Sequence, residues 1–454
     1  MSYSRLDYYF GWRWLLPLVV GQSVGLYGFS QEEESFWDDV IMAAGLIGHV
    51  DKAEVLLVNA DGVEQRGVPV IADIDTAQVV CVVASRQLAR QWRGVLAAKF
   101  LQLKEYSLLP AANPRIVVPL DSSRHAAAGL GLHRPGRWTA RLGLLAARAL
   151  VKVGCFGLLR NRVLLIATRA PDSLPHGALQ AGLYKLYDAP GMDFALYLGT
   201  ADDNRKTVVL PVGRSVPQII LKIAATASAR ASLTNEAAAL TDLAQSPLAP
   251  CVPQLSGLVA SGSTLNLYQE FRQRRCIGKR RMSAAVVHFL AQLSQVDREQ
   301  APLSELLAKL PFSPLVDLSE VYAVAYCAVR RHLEDLAATG AKLWVHRAHG
   351  DFAPWNCAWS DDGIFVFDWE ESRRQGLALG DAFSYVISPA HLIQRKTNAH
   401  ATLSNSLSFA ECVADAGGLA GPDARVYLAL WLLHRDRHDR LYGDMLVLLE
   451  RNWQ

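Results

Sequence analysis

The run His349-Gly350-Asp351-Phe352-Ala353-Pro354-Trp355-Asn356 gathers residues able to do chemistry. It is followed by Cys357-Ala358-Trp359, a turn at Ser360-Asp361-Asp362-Gly363, and Ile364-Phe365-Val366-Phe367-Asp368-Trp369-Glu370. Asp-Gly flanked by apolar runs predicts a hairpin. Pairing its strands brings Asn356, at the start of one, near Asp368, at the end of the other. Asp351 sits on the loop just before them. Three oxygen-bearing side chains then converge at one end of a hairpin. Phosphoryl transfer needs such a set. A carboxylate orients the attacking hydroxyl and takes its proton. An amide oxygen and a second carboxylate hold Mg²⁺, which bridges the phosphates.

The elements that must position these groups follow from periodicity. Leu15–Val20 reads as a buried strand, 35–47 and 85–100 as helices, and 54–59 and 79–83 as short strands. Residues 1–104 are therefore expected to form an α/β domain. Four prolines, Pro110, Pro114, Pro119 and Pro135, make 105–136 read as an extended connector. A helix is expected over 137–153, with Arg137, Arg141, Arg148 and Lys152 on one side. Trp138, Leu142, Ala149 and Val153 form the adjacent stripe. A solvated face on a packing helix is the expected reading, with a helix on an anionic membrane surface as the alternative. A strand at 162–168 and a helix near 176–187 complete the segment 105–189. Five strands, at 194–199, 207–212, 218–223, 253–260 and 265–271, with one helix at 232–244 after the third, describe a small lobe over 190–275. Residues 276–454 read as a larger, mostly helical lobe.

The motifs resemble a known family. His349–Asn356 and Phe367-Asp368-Trp369-Glu370 look like the HGD-x-x-x-x-N and D-W-E motifs of the aminoglycoside phosphotransferase and choline kinase-like family. The gap from Asp351 to Asn356 is also that of the protein-kinase catalytic loop. The resemblance covers about 190–454. It implies a bilobal protein-kinase-like fold, so the whole chain is expected to be α+β, with an α/β domain preceding that fold. It also implies an enzyme that phosphorylates a small molecule with ATP and Mg²⁺. On this resemblance Asp351 is the catalytic base within the catalytic loop that His349 opens, Asn356 and Asp368 are metal ligands, and Asp381 is structural. The family requires a strand-borne lysine on the phosphates, held by a glutamate on the next helix. Lys222, within Ile219–Ala224, and Glu236 match. A buried lysine needs a partner in any case. Gln269 and Phe271 fall at the adenine-binding hinge by position. The turn Gly199–Lys206 stands where a phosphate-covering loop belongs, but it carries one glycine and two aspartates. The stretch Tyr106–Leu120 is similar to a subgroup found beside bacterial polysaccharide-assembly genes. Gly21-Gln22-Ser23-Val24-Gly25 is the one glycine feature placed as in a Rossmann-like methyltransferase, and a packed turn without ligand is the expectation there.

Composition narrows the alternatives. The 454 residues are 51 % hydrophobic, enough for sizeable cores, and the net charge of +3 lacks the dense basic runs of a nucleic-acid binder. Seven scattered cysteines without a C-x-x-C pair suit reduced thiols and a cytoplasmic protein. No signal peptide is expected, since the apolar stretch from Trp14 to Phe29 is interrupted by Pro17 and Gly21. A protein kinase is disfavoured because Trp369-Glu370 follows Asp368 where D-F-G would stand. That points to a small-molecule or glycan acceptor. A non-catalytic nucleotide-binding scaffold of the same fold is the alternative. A metal hydrolase built on His346, His349, Asp351 and Asp368 lacks a paired histidine motif.

Overall fold

Apolar runs of β-branched residues become the strands at the centre of the structure. The computed structural model of the protein describes residues 6, 9–18, 20–48, 53–66, 71–132, 138–169, 193–199, 202–213, 219–272, 275–276, 284–310, 319–360, 363–392, 398–419, 423–435 and 439–453. The chain divides into two units, Met1–Leu233 with Ser256–Gln273, and Thr234–Leu255 with Arg274–Gln454.

The first unit is organised on one sheet of twelve strands. They are β1 (Ser23–Tyr27), β2 (Ile47–Gly48), β3 (Val55–Asn59), β4 (Val79–Ser85), β5 (Gln102–Leu109), β6 (Ile116–Pro119), β7 (Arg162–Thr168), β8 (Asp193–Tyr197), β9 (Lys206–Val212), β10 (Ile219–Ala224), β11 (Leu255–Ser261) and β12 (Thr264–Glu270). Their order is β11-β12-β10-β9-β8-β6-β5-β7-β4-β3-β1-β2. The pairings of β1 with β2 and β3, and of β3 with β4, are parallel. The helices Gln31–Ala43, Ala60–Arg66 and Arg86–Lys99 alternate with them. This is the α/β pattern expected for 1–104. Alternate residues of β3 and β4 enter opposite cores: Val55, Leu57, Val79 and Cys81 on one face, Leu56, Val58, Val80 and Val82 on the other. A slip of one residue would exchange the two sets, so both faces enforce the register.

Several readings are corrected here. Leu15–Val20 is not a strand. A 3₁₀ turn occupies Gly11–Leu15 and β1 begins at Ser23. Pro17 lacks the N–H a strand would use, and Gly21 adopts φ +87°. Gly25 consequently lies inside β1, not in a strand-to-helix turn. The actual turn uses Gly28 at φ +76°, where a Cβ would strike the Asn59 carbonyl. The helix it opens is closed by its own capping box, with Ser30 N–H donating to Glu33 at 2.7 Å and the Ser30 hydroxyl accepting from Glu33 N–H at 3.3 Å. A phosphate at that terminus would have to displace Glu33.

The stretch 105–136 is not simply extended. It supplies the rest of β5, all of β6, and the helix Ser123–Gly131. Its prolines bound these elements: Pro110 and Pro114 lie in the β5–β6 turn and Pro119 ends β6. Through β6 the sheet continues into β8, with Ile116 opposite Tyr197 and Val117 opposite Leu196. In the helix Trp138–Lys152 the buried side is built by Val151 with Leu144, Ala147 and Leu150. Leu142 and Val153, assigned to the packing stripe, are exposed. Arg148 donates to the Leu130 carbonyl at 3.0 Å. The helix expected near 176–187 lies outside the described residues, as do Arg137 and the side chain of Arg141. No described helix is long and apolar enough to cross a membrane.

The five strands expected for the small lobe are β8 to β12, and the helix Ala227–Leu243 follows β10. The second unit carries β13 (Arg275–Cys276), β14 (Glu299–Pro302), β15 (Lys342–Ala348), β16 (Cys357–Ser360), β17 (Gly363–Val366) and β18 (Arg373–Leu377). They form two sheets, β13-β16-β17 and β14-β15-β18. β14 interrupts a stretch read as almost wholly helical. The helices Ala284–Leu293, Glu320–Ala338, Gly380–Leu392, Ala399–Gly417, Ala424–Leu433 and Arg440–Arg451 surround one large core. Asp439 caps the last of these through Leu441 and Tyr442 N–H.

Candidate active site

The catalytic-loop candidate leaves β15 at Ala348, and three anchors set its path. The Ser372 hydroxyl donates to the Ala348 carbonyl at 2.8 Å. Gly350 adopts φ +88°, and any Cβ there would run into the Glu371 carbonyl, so only glycine fits the turn. Asp381, in the first turn of Gly380–Leu392, accepts from His349 N–H at 2.6 Å and Gly350 N–H at 3.0 Å. The carboxylate thus clamps two successive amides, the structural role the resemblance gave it.

Aromatic packing fixes the other side of the loop. Phe352 is fully buried and stacks on Phe289 at 5.7 Å. Trp369 is also fully buried, 4.6 Å from the His349 ring, and its indole N–H donates to the Val366 carbonyl at 3.0 Å. Each such ring contributes on the order of 1.5–3 kcal/mol by leaving water. His349 is itself buried. Its Nε2 lies 3.0 Å from the Phe367 carbonyl and its Nδ1 lies 3.3 Å from Asp351 N–H. A neutral ring protonated at Nε2 satisfies both contacts. Both nitrogens are therefore committed to the backbone.

The hairpin forms as expected. β16 and β17 are antiparallel with Cys357 opposite Val366 and Ser360 opposite Gly363. The connecting Asp361 and Asp362 lie outside the described residues. Phe367 N–H donates to the Asn356 carbonyl at 3.0 Å, which carries the register one residue past the strands. Asn356 and Asp368 are thereby adjacent in the fold. Asn356 Nδ2 donates to the Asp351 carboxylate at 3.0 Å and to its own loop at the Asp351 carbonyl, 2.8 Å. The amide oxygen is left facing away from those acceptors. Asp368 takes a left-handed conformation, φ 73° and ψ 56°. For a non-glycine residue this costs about 1–3 kcal/mol, which the surrounding contacts must offset.

Burial raises the Asp351 carboxyl above the usual carboxylate range. His349 and the Asn356 hydrogen bond oppose the rise, while the negative charges of Asp368 and Asp381 add to it. A carboxylate of raised basicity takes a proton more readily.

Asp368 has two further acidic neighbours. The carboxylates of Glu236, Asp368 and Glu370 offer oxygens within 4.8 Å of one another. A hard divalent cation such as Mg²⁺ suits an all-oxygen set. Glu236 is fully buried on the helix Ala227–Leu243. The sequence assigns Glu236 to Lys222 and leaves Glu370 open between substrate binding and a solvated charge. The only signal for Glu370 was its place two residues after Asp368.

In the first unit, Lys222 is buried on β10, between Val208 of β9 and Leu267 of β12. Gln269 is 2 % exposed on β12, and its Oε1 is buried without a hydrogen-bond partner among the described residues. Phe271 is half-buried beyond the end of that strand. The turn between β8 and β9 is tied down at both aspartates. Asp202 accepts from Asn204 N–H at 3.0 Å, and the Asp203 carbonyl accepts from the Thr226 hydroxyl at 2.5 Å. Thr200 and Ala201 lie outside the described residues.

Comparison with known proteins adds a partial match to a family. Residues 200–378 match the family described as Phosphotransferase enzyme family. No curated protein matches the sequence. Among solved structures, similarity extends to a thermostable mutant of aminoglycoside phosphotransferase APH(4)-Ia, at 13 % identity and TM-score 0.40, over 60 % of this chain and 98 % of that one. It extends to aminoglycoside phosphotransferase APH(3'')-Id from Streptomyces rimosus with ADP and streptomycin, at 16 % identity and TM-score 0.35, over 57 % and 99 %. A fructosamine-3-kinase described as putative, from Haemophilus somnus, aligns at 17 % identity and TM-score 0.36, over 60 % and 94 %. The matched segment 200–378 holds Lys222, the loop His349–Asn356 and Asp368, so its similarity to the phosphotransferase enzyme family falls on the candidate site.

Proposed function

We propose that the protein transfers the γ-phosphoryl group of ATP to a hydroxyl of a small molecule or glycan. The observation that carries this reading is the loop geometry. Asp351 is held by Asn356, raised in basicity by burial, and set beside the hairpin that delivers Asp368. In this reading Asp351 orients the acceptor hydroxyl and accepts its proton. His349 is a positioning residue, since both ring nitrogens brace the backbone around Asp351. Asn356 and Asp368 hold Mg²⁺, with the Glu236 and Glu370 carboxylates close enough to Asp368 to share in its binding. The bound ion would neutralise charge on the phosphates. Lys222 is assigned to the phosphates, and Gln269 and Phe271 to the adenine, from the family resemblance. The likeness of Tyr106–Leu120 to proteins encoded beside polysaccharide-assembly genes supports a glycan-related acceptor.

The test is transfer from γ-labelled ATP to a panel of sugars and amino alcohols. Asp351→Asn is expected to lose about 10²–10⁴-fold in rate, the usual worth of a general base, while ATP affinity persists. ATP binding without transfer in the wild type, unchanged in Asp351→Asn, would favour the scaffold alternative.

A further inference from the structure

Two arginines near the candidate loop have no ion-pair partner among the described residues. Arg373 opens β18, and the strand register sets it opposite Ala348, the residue before His349. It is exposed and has no ion-pair partner among the described residues. Its neighbour Arg374 differs, being bound to Asp242 at 2.8 Å. Arg435 follows the helix Ala424–Leu433. Its guanidinium stacks on Trp431 at 4.1 Å, and that ring packs on Gly380, the residue before Asp381. Arg435 Nε is buried with no hydrogen-bond partner among the described residues.

Electrostatics places these groups together. Burial is the main influence lowering the Arg435 pKa. Tyr442, Asp351 and Asp381 act in the opposite direction, and Arg373 adds to the lowering. Burial likewise lowers His434, whose Nδ1 is 2.9 Å from the Leu430 carbonyl, and Arg373 and Arg435 both act on it. Arg373, by its place opposite Ala348, and Arg435, through Trp431 against Gly380, both approach the loop that carries Asp351. The nearby carboxylates act on Arg435 through space and make no ion pair with it among the described residues. Asp381 spends both oxygens on loop amides, and Asp351 is bound by Asn356.

Resting on the phosphotransferase reading, we propose that the acceptor is an anionic hydroxyl compound, its phosphate or carboxylate held by Arg373 and Arg435 while its hydroxyl meets Asp351. A guanidinium with a buried, unsatisfied Nε–H offers the fork that planar oxyanions fill. A polycationic amino sugar would face repulsion at the same place.

The experiment measures binding by calorimetry to the full chain saturated with ADP and Mg²⁺, so that the nucleotide site is filled. The probes are glucose, glucose 1-phosphate, glucuronate, inorganic phosphate and streptomycin. The anions are expected to bind at least about tenfold tighter than glucose, with streptomycin weakest. A preference between glucose 1-phosphate and glucuronate separates a phosphate from a carboxylate. Arg373→Gln and Arg435→Gln should each weaken anion binding about tenfold, as loss of a charge-assisted hydrogen bond does. Arg373→Lys should restore part of it, and Arg374→Gln should leave it unchanged. Arg373 is exposed, so its variants test the site even if Arg435→Gln folds poorly. Tighter binding of glucose or streptomycin, absence of anion binding, or anion binding indifferent to Arg373→Gln overturns the proposal. Anion binding that follows this pattern without phosphoryl transfer upholds the basic site and refutes the phosphotransferase reading instead.

Discussion

The clamp made by Asp381 offers the most quantitative test of the loop. Asp381→Asn keeps the side-chain shape but removes the charge and one acceptor. One of the two loop amides, His349 N–H or Gly350 N–H, then faces an amide NH₂. A hydrogen bond to a charged acceptor contributes about 1.5–3 kcal/mol, and an unmet buried donor costs a similar amount. A loss near 3 kcal/mol is expected. For a unit of about 200 residues this lowers the melting temperature by roughly 6–12 °C. The same substitution acts on the chemistry. The Asp381 charge is one of the causes that raise the Asp351 carboxyl, so its removal should let Asp351 ionise at lower pH. The acid limb of kcat/KM should move down in pH while the maximal rate falls through loss of loop geometry. Thermal unfolding and a pH–rate profile measure both. An unchanged melting temperature together with an unmoved acid limb would refute the reasoning.

Three other outcomes follow from the same geometry. Because the Asp351 carboxyl is raised on folding, its stabilising contribution is fully present below its unfolded pKa and lost as pH rises through the folded one. Asp351→Asn should therefore melt higher than wild type at neutral pH, with the difference vanishing in acid, as scanning calorimetry across pH would reveal. Asp368→Asn should raise the Mg²⁺ concentration needed for half-maximal transfer at least about tenfold, and a metal titration that leaves this value unmoved would count against the assigned ligand. Phe352→Ala empties a site between Phe289 and Tyr385. It should cost about 3–5 kcal/mol in denaturant unfolding.

The geometry of the candidate loop could be read in the sequence because its residues lie close along the chain. Asp351, Asn356 and Asp368 lie within one loop and one hairpin, whose strands pair Cys357 with Val366 and Ser360 with Gly363. The groups that arrive from a distance could not be read. Arg435 lies 84 positions beyond Asp351 and stacks on Trp431, which packs against Gly380 beside the loop's clamp, a contact with no periodic signature. Glu236 joined Asp368 for the same reason. The N-terminal errors have another cause. The prolines read as marks of a connector, whereas Pro110 and Pro114 lie in the turn between β5 and β6 and Pro119 is the last residue of β6. Val20 looked like a buried strand residue by composition, yet it is 77 % exposed because Pro17 and Gly21 turn the chain before pairing begins.

The pairing of β6 with β8 carries a consequence for handling the protein. A fragment trimmed to the phosphotransferase segment alone, starting near residue 190, would strip β8 of its neighbour. Phe194, Ala195 and Leu196 would then border an open strand edge with unmet amides and carbonyls. Such an edge templates intermolecular pairing. The N-terminal region thus acts as a retaining wall for the strands that carry Lys222, and expression of the short fragment should yield aggregates where the full chain stays dispersed.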